Sequence, residues 1–317
     1  MRALLVVNHR ATTTSGRVRD VLVQALRSVV NLEVAYTQRR GHAAGLSRQA
    51  AKDGMDVVVA LGGDGTVNEI VNGLLSDGPG PRVPALAVVP GGSTNVFARA
   101  LGLPNDWVEA TGVLLEALRE HRSRTIGLGR ADDRYFTFCA GYGLDAEVIR
   151  KVEQARRRGT TSTPTLYVRA LATQYLLSGG RNRPKITLER PGEIADTDLD
   201  TAIVQNTTPW TYLGNRPVDA CPDASFDLGL DMLGVRALHT PGFARTLTQL
   251  LLPDGVRRTR SGGPRGPHGK SVLRLHDSPE FTLRGDTPRA LQLDGEYLGE
   301  TDKVRFVAVP AALRVIW

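Results

Sequence analysis

The stretch Val57-Val58-Val59-Ala60-Leu61-Gly62-Gly63-Asp64-Gly65-Thr66-Val67-Asn68-Glu69 decides the fold. An apolar run that ends in clustered glycines, then continues with Val67, Ile70, Val71 and Leu74 at helical spacing, reads as strand, tight loop and helix. That geometry suits a phosphate cradle. Glycines let the backbone approach an anion, and the first free N–H groups of the following helix point at it. Asp64 is the odd residue, because a carboxylate repels a bare phosphate; it is suited to holding Mg²⁺ or orienting a hydroxyl. A Gly/Asp turn that only joins a strand to a helix accounts for the same letters, so the motif alone leaves both readings open.

Outward from this stretch, the first hundred residues alternate strand and helix patterns. Ala3 to Val7 reads as a buried strand, Val18 to Val29 as one face of a helix, Leu32 to Tyr36 as a second strand and His42 to Lys52 as a second helix. After the helix expected over Val67 to Leu75, Ala85 to Val89 supplies a further strand that ends in Pro90-Gly91-Gly92-Ser93-Thr94-Asn95. Successive βα units imply a mostly parallel sheet with helices on both faces, and such sheets bind ligands at the carboxyl ends of their strands. Both glycine loops leave carboxyl ends, so they can serve one anion site. That pairing is far more specific than either turn alone.

A helix is expected from Asp106 to about Glu120, after which the pattern changes. Arg124 to Gly129 and Arg134 to Ala140 read as consecutive strands, Gly141 opens a basic helical segment through Arg158, and a helix follows over Thr165 to Leu177. Short strands near 185–188, 201–204, 228–233, 272–275, 281–283, 291–293 and 304–309 then suggest a second, antiparallel β domain, interrupted by one amphipathic helix bearing Phe243, Leu247, Leu250 and Leu251. Arg257 to Lys270 reads as an exposed loop.

Composition narrows the function classes. At 317 residues, two domains are expected rather than one. Cys139 and Cys221 have no metal-ligand or disulfide-framework spacing, which fits a reducing compartment. No run approaches the ~20 apolar residues of a membrane span, and Met1 to Asn8 reads as the first strand rather than a leader. The net charge of +7 calls for an anionic partner: nucleic acid, a membrane surface or a phosphorylated small molecule. Three Trp and 5% aromatic residues leave little for base stacking, so no specific nucleic acid is expected.

Gly62 to Gly73, then Pro90-Gly91-Gly92-Ser93-Thr94-Asn95 with Phe97-Ala98-Arg99-Ala100-Leu101, and late in the chain Leu293-Asp294-Gly295-Glu296-Tyr297, resemble the diacylglycerol kinase catalytic family, its bacterial lipid kinases and sphingosine kinases above all. The first block is shared with NAD kinases; the late Asp-Gly-Glu favours a lipid kinase. The resemblance implies an α/β nucleotide-binding domain with a parallel, Rossmann-like sheet (1–126 with 300–317) and an antiparallel β-sandwich lipid-substrate domain (127–299). It implies transfer of the ATP γ-phosphate, with Mg²⁺, to the hydroxyl of diacylglycerol or a related lipid. Gly62, Gly63, Asp64, Gly65, Thr66, Val67 and Asn68 would cradle the phosphates, with Gly91, Gly92, Ser93, Thr94 and Asn95 from the second loop and with Asn8 and Thr37. Glu296 matches the proton acceptor; alone it reads as a hairpin acid, and the glycine loops turn the reading toward catalysis.

Several positions depart from the family pattern. Val96, Gly127 and Leu228 stand where carboxylates are usual, and Arg17 and Arg169 where lysines are usual. The expectation is therefore no structural metal, and a catalytic Mg²⁺ held by Asp64, ATP phosphates and water. Arg156 to Arg158, Arg181, Arg183 and the 257–270 loop are candidates for docking at the inner face of the membrane by a cytoplasmic, peripheral protein, or form a solvated basic face. Thr207, Pro209, Trp210 and Tyr212 are either walls of a lipid pocket or an ordinary aromatic cluster. A NAD kinase-like enzyme with a soluble substrate and a non-catalytic nucleotide- or lipid-binding protein are the alternatives. Oligomeric state stays open between monomer and homodimer.

Overall fold

The computed structural model describes residues 1–8, 16–157, 185–236, 241–251 and 266–317. Expectations that fall on 158–184 and 252–265, among them the helix over 165–177, Arg158, Arg169, Arg181, Arg183 and most of the 257–270 loop, lie outside the described residues. The chain forms two compact units, Met1–Leu128 with Pro310–Trp317, and Gly129–Val309.

In the N-terminal unit the order is β1 (Arg2–Val7), α1 (Gly16–Arg27), β2 (Asn31–Tyr36), α2 (His42–Lys52), β3 (Val57–Gly62), α3 (Asp64–Leu74), β4 (Ala85–Pro90), α4 (Val96–Ala100) and α5 (Trp107–Arg119). β1 pairs in parallel with β2 and with β3, and β3 in parallel with β4. Every residue of β3 and β4 is buried, as expected of strands covered on both faces. Leu5, Val59 and Val89 of the sheet pack with Leu22 and Leu26 of α1 and Leu114 and Leu118 of α5. The register Val57↔Ala85 to Gly62↔Pro90 brings the two strands to their carboxyl ends side by side, so both glycine loops start at one level.

The C-terminal unit is mostly β and antiparallel. After β5 (Ser123–Ala131), shared with the first unit, come β6 (Arg134–Phe136), β7 (Cys139–Gly143), α6 (Leu144–Arg157), β8 (Ile186–Glu189), β9 (Asp196–Gln205), β10 (Thr211–Leu213), β11 (Arg216–Val218) and β12 (Leu230–Arg236). Then follow α7 (Pro241–Leu251), β13 (Val272–Ser278), β14 (Glu280–Leu293) and β15 (Glu296–Ile316). Hydrogen bonding runs β13-β12-β9-β7-β14-β15, with β8 bridging β9 and β14 and β5 joining β15 to β6, and among the described residues only the β10–β11 hairpin stands apart. The core of this unit gathers Phe136, Tyr142, Leu188, Leu199, Val204, Met232, Phe281, Leu283, Leu293 and Phe306.

Several elements differ from their sequence reading. α3 begins at Asp64 rather than Val67, because Gly63 alone serves as its N-cap position. Gly141-Tyr142-Gly143, expected to open a helix, finishes β7, whose residues are all buried against β9 and β14. The short strands expected over 281–283 and 291–293 are the two ends of one strand, β14, whose pairing with β15 shifts register between Arg284 and Arg289.

Candidate active site

The two glycine loops are locked backbone to backbone. Gly91 N–H donates to Gly62 C=O at 2.9 Å, and a Cβ on Gly92 would stand 2.7 Å from Gly63 Cα. The glycines here are thus required by the approach of one loop to the other. Gly65 is different: a Cβ there meets nothing within 4 Å, and the residue is exposed.

Asp64 has a task the sequence did not reveal. Its two carboxylate oxygens accept the N–H groups of Val96 and Phe97, each at 3.0 Å, so it caps α4 from a distant point in the chain. Val96, which stands where a carboxylate is usual in the resembling family, contributes its backbone N–H here. Glu69 acts likewise for α2, accepting from Gly41 N–H at 2.7 Å and Ala43 N–H at 3.1 Å. Both acids therefore satisfy helix N-terminal donors that would otherwise lack partners.

The remaining sequence candidates divide by exposure. Thr66, Val67 and Asn68 are buried, with Thr66 Oγ1 accepting from Asn8 Nδ2 at 3.0 Å and Asn68 Oδ1 from Asn72 Nδ2 at 3.2 Å. Thr37 is also buried and donates its N–H to Val7 C=O at 2.9 Å. Ser93 is exposed and Thr94 half-buried. Asn95 adopts a left-handed backbone (φ 49°); its Oδ1 accepts from Gly92 N–H at 2.8 Å while its Nδ2 donates to Gly92 C=O and Asn105 Oδ1, each at 2.9 Å. A cleft of about 320 Å³ opens beside this loop, lined by Pro90, Gly92, Ser93, Asn95, Asn105, Asp106 and Trp107. The last three were not singled out from sequence, although an Asp directly before a helical run is an N-cap signal; Asp106 accepts from Val108 and Glu109 N–H.

In the C-terminal unit, Asp294 and Gly295 both have positive φ (49° and 77°) and join β14 to β15 with Leu293 opposite Glu296. This is the type I′ hairpin that Asp-Gly favours. Asp294 is buried and accepts from Thr137 N–H and Oγ1–H, Phe138 N–H and Cys139 N–H, at 2.7 to 3.2 Å. Glu296 is 14% exposed at its side chain and accepts from Arg134 of β6 at 3.0 Å, a contact no sequence pattern signals. Trp210 packs on the cluster of Leu144, Ile203, Cys221 and Leu233.

For a divalent cation the fit is partial. Among the described residues no group of three His, Cys, Asp or Glu is arranged to hold a metal ion. Asp64, expected from sequence to hold Mg²⁺, already accepts two amide hydrogens, from Val96 and Phe97. These residues do not build a protein cage for Mg²⁺, which commonly keeps several waters and is held largely by substrate phosphates.

Comparison with known proteins bears on this arrangement. Residues 2–131 match the diacylglycerol kinase catalytic domain. The resemblance read from the sequence is to the same family. A diacylglycerol kinase of Staphylococcus haemolyticus is 36% identical over 129 residues, 41% of this chain and 37% of that protein. A "probable lipid kinase YegS-like" of Chromohalobacter salexigens is 37% identical over 141 residues, 44% of each. The matched stretch thus spans about two-fifths of these relatives' length. Among solved structures, a diacylglycerol kinase from Bacillus anthracis str. Sterne aligns with a TM-score of 0.73 at 21% identity, over 100% of this chain and 96% of that one. An NAD kinase from Archaeoglobus fulgidus in complex with ATP aligns with a TM-score of 0.52 at 12% identity, over 100% and 94%. At these identities the structures speak for the fold: an N-terminal domain followed by a mostly β domain.

Proposed function

We propose that the protein is an ATP-dependent lipid kinase that transfers the γ-phosphate of ATP to the hydroxyl of diacylglycerol or a related lipid. The observation that carries this reading is the pair of glycine loops locked together at the carboxyl ends of β3 and β4, within the segment that matches the diacylglycerol kinase catalytic domain. Gly65 and Ser93, both exposed, offer backbone N–H and hydroxyl groups to phosphate oxygens. Asp64 holds the second loop in register through α4, so the cradle keeps its shape as charge redistributes in the transition state. Mg²⁺ bound with ATP would neutralise phosphate charge.

Glu296 is the group proposed to take the acceptor proton. The lipid oxygen bonds to the γ-phosphorus, the bond from that phosphorus to the β–γ bridging oxygen breaks, ADP leaves, and the hydroxyl proton passes to the Glu296 carboxylate and on to water. Arg134 orients this carboxylate by its hydrogen bond at 3.0 Å. The 1–126 segment with the chain's end would serve the nucleotide and 127–299 the lipid. The net charge of +7 suits a cytoplasmic protein that meets its substrate at an anionic membrane surface. No helix among the described residues is long and apolar enough to cross a membrane.

The test is phosphate transfer from labelled Mg-ATP to diacylglycerol in mixed micelles, with sphingoid bases and NAD as parallel acceptors. Transfer to lipid that Glu296→Gln abolishes is the expected result. Transfer to NAD alone would favour a soluble-substrate kinase, and nucleotide binding without turnover a binding protein.

A further inference from the structure

The turn that carries Glu296 is held by a buried polar chain that the reaction itself does not use. Gln292, 1% exposed on β14, accepts Gly295 N–H at its Oε1, 2.8 Å away, and donates from Nε2 to Asp145 Oδ2 at 2.8 Å. Asp145 lies in the first turn of α6, where its own N–H faces Thr201 Oγ1 of β9 at 3.4 Å. Its carboxylate rests on the bare backbone of Gly141, where a Cβ would stand 1.8 Å from Oδ2. Among the described residues Gln292 is the hydrogen-bond partner of that carboxylate.

We propose that Asp145 and Gln292 are positioning residues that fix the Asp294-Gly295-Glu296 turn and thereby the carboxylate of Glu296. The proposal rests on the reading of Glu296 as proton acceptor. The direction of one side-chain amide decides how the turn is held. A side-chain amide presents a donor end and an acceptor end of nearly equal shape, and only its partners decide which faces where. An ionised carboxylate accepts and never donates, so Asp145 obliges Nε2 to face it and leaves Oε1 for Gly295 N–H. Without that charge the amide can reverse, and Gly295 N–H loses its acceptor in a buried place. Asp294 anchors one side of the turn through four donors. Gln292 anchors the other side, next to Glu296.

The carboxylate bears a cost that fits this role. Burial pushes the Asp145 pKa up to about 6, while the Gln292 hydrogen bond pulls it partly back. The charged groups on the surrounding elements are engaged elsewhere: Arg289 of β14 with Glu147 of α6 at 3.5 Å, and Asp200 of β9 with Lys185 at 2.6 Å. The neighbouring titratable side chains Cys139 and Tyr142 of β7 are buried. As pH falls through about 6 the Asp145 charge is lost, and with it the fixed direction of Gln292.

The experiment compares the full chain with Asp145→Ala, Asp145→Asn, Gln292→Ala and Glu296→Gln, reading kcat and KM for ATP against diacylglycerol micelles from pH 5 to 8. Amide exchange of the 293–297 segment is followed alongside. Asp145→Ala and Gln292→Ala are expected to lower kcat by up to about 10²-fold with KM for ATP unchanged, and to speed exchange at Gly295. Asp145→Asn keeps an acceptor without the charge, so it should fall between and lose the limb of the kcat profile near pH 6. If Glu296→Gln is inactive while the other variants keep wild-type kcat and exchange, the inference is overturned and the kinase reading stands. A fully active Glu296→Gln, or a wild type without turnover, overturns the reading and the inference together. Should Asp145→Ala not fold, an Asp145→Asn profile identical to wild type decides against the proposal.

Discussion

Replacing Asp64 by Ala removes the acceptor for Val96 and Phe97 N–H, and replacing Glu69 by Ala does the same for Gly41 and Ala43. Loss of a helix cap costs about 0.5–2 kcal/mol, so both variants should show a lowered urea midpoint with an unchanged slope. Nucleotide affinity, measured by calorimetry, separates them: Asp64→Ala should lose it, because α4 begins directly after the second glycine loop, whereas Glu69→Ala should retain it. Equal affinities would mean that Asp64 does not shape the cradle. Asp145 makes a prediction of opposite sign. Its folded pKa of about 6 lies above the ordinary 3.8, so the folded chain carries a carboxylate penalty that is complete above pH 6 and absent below 3.8. Asp145→Asn should therefore raise stability at pH 7.5 by up to about 3 kcal/mol and leave it unchanged near pH 4, read from urea unfolding at both pH values. A variant that is more stable and less active is the pattern expected of a functional acid. None of this was legible in sequence. The motif marked Asp64 as notable and passed over Glu69, and their partners lie 32 and 28 positions away; hydrogen bonds at that separation leave no local pattern.

At the level of elements, the glycines of the two loops divide into those required by the fold and one that faces open space. A methyl on Gly92 would force Gly63 aside, since the nearest atom is backbone at 2.7 Å. Gly92→Ala should destabilise the N-terminal unit by about 1–3 kcal/mol. Gly65→Ala meets nothing within 4 Å and should fold with a melting temperature close to wild type. Its effect should appear as weaker ATP binding, because the added methyl occupies the space proposed for phosphate. If Gly65→Ala binds ATP as wild type does, the cradle lies elsewhere. The strand-loop-helix order of this region was readable because apolar runs, glycine clusters and 3.6-residue spacing are local signals. β7 was not: Gly141-Tyr142-Gly143 resembles a loop opening a helix, and only pairing with β9 and β14 makes it a strand. The length of β14 was hidden for the same reason, since Arg284 to Arg289 breaks the alternation and only pairing with β15 on both sides of that break, Thr282 to Arg284 and Arg289 to Leu293, makes the two segments one strand.

On the scale of the molecule, the chain leaves the N-terminal unit near residue 128 and re-enters it at Pro310. Val315 pairs in parallel with Leu86 of β4, and Leu313, Val315 and Ile316 are buried, Ile316 within the same core as Val89 and Leu114. Trp317 adds an indole N–H donated to Leu101 C=O and a ring stacked under Arg124 at 5.5 Å. Burying each large aliphatic side chain contributes about 1.5–3 kcal/mol, so Leu313, Val315 and Ile316 supply at most about 5–9 kcal/mol, because unfolded chains already bury some surface. That is of the order of a whole domain's net stability. A chain ending at Val309 should therefore lose amide protection in β4, which pairs with the missing segment, and in β3 on the other side of β4. β9 and β12 should keep theirs, because their core of Leu199, Val204, Leu230 and Met232 draws on no residue beyond 309. Hydrogen exchange on the truncated chain checks this directly. Loss of protection across both sets of strands would mean that the two units fold as one cooperative body, and unchanged protection in β3 and β4 would mean that the C-terminal strand is an accessory to the core of the N-terminal unit and not part of it.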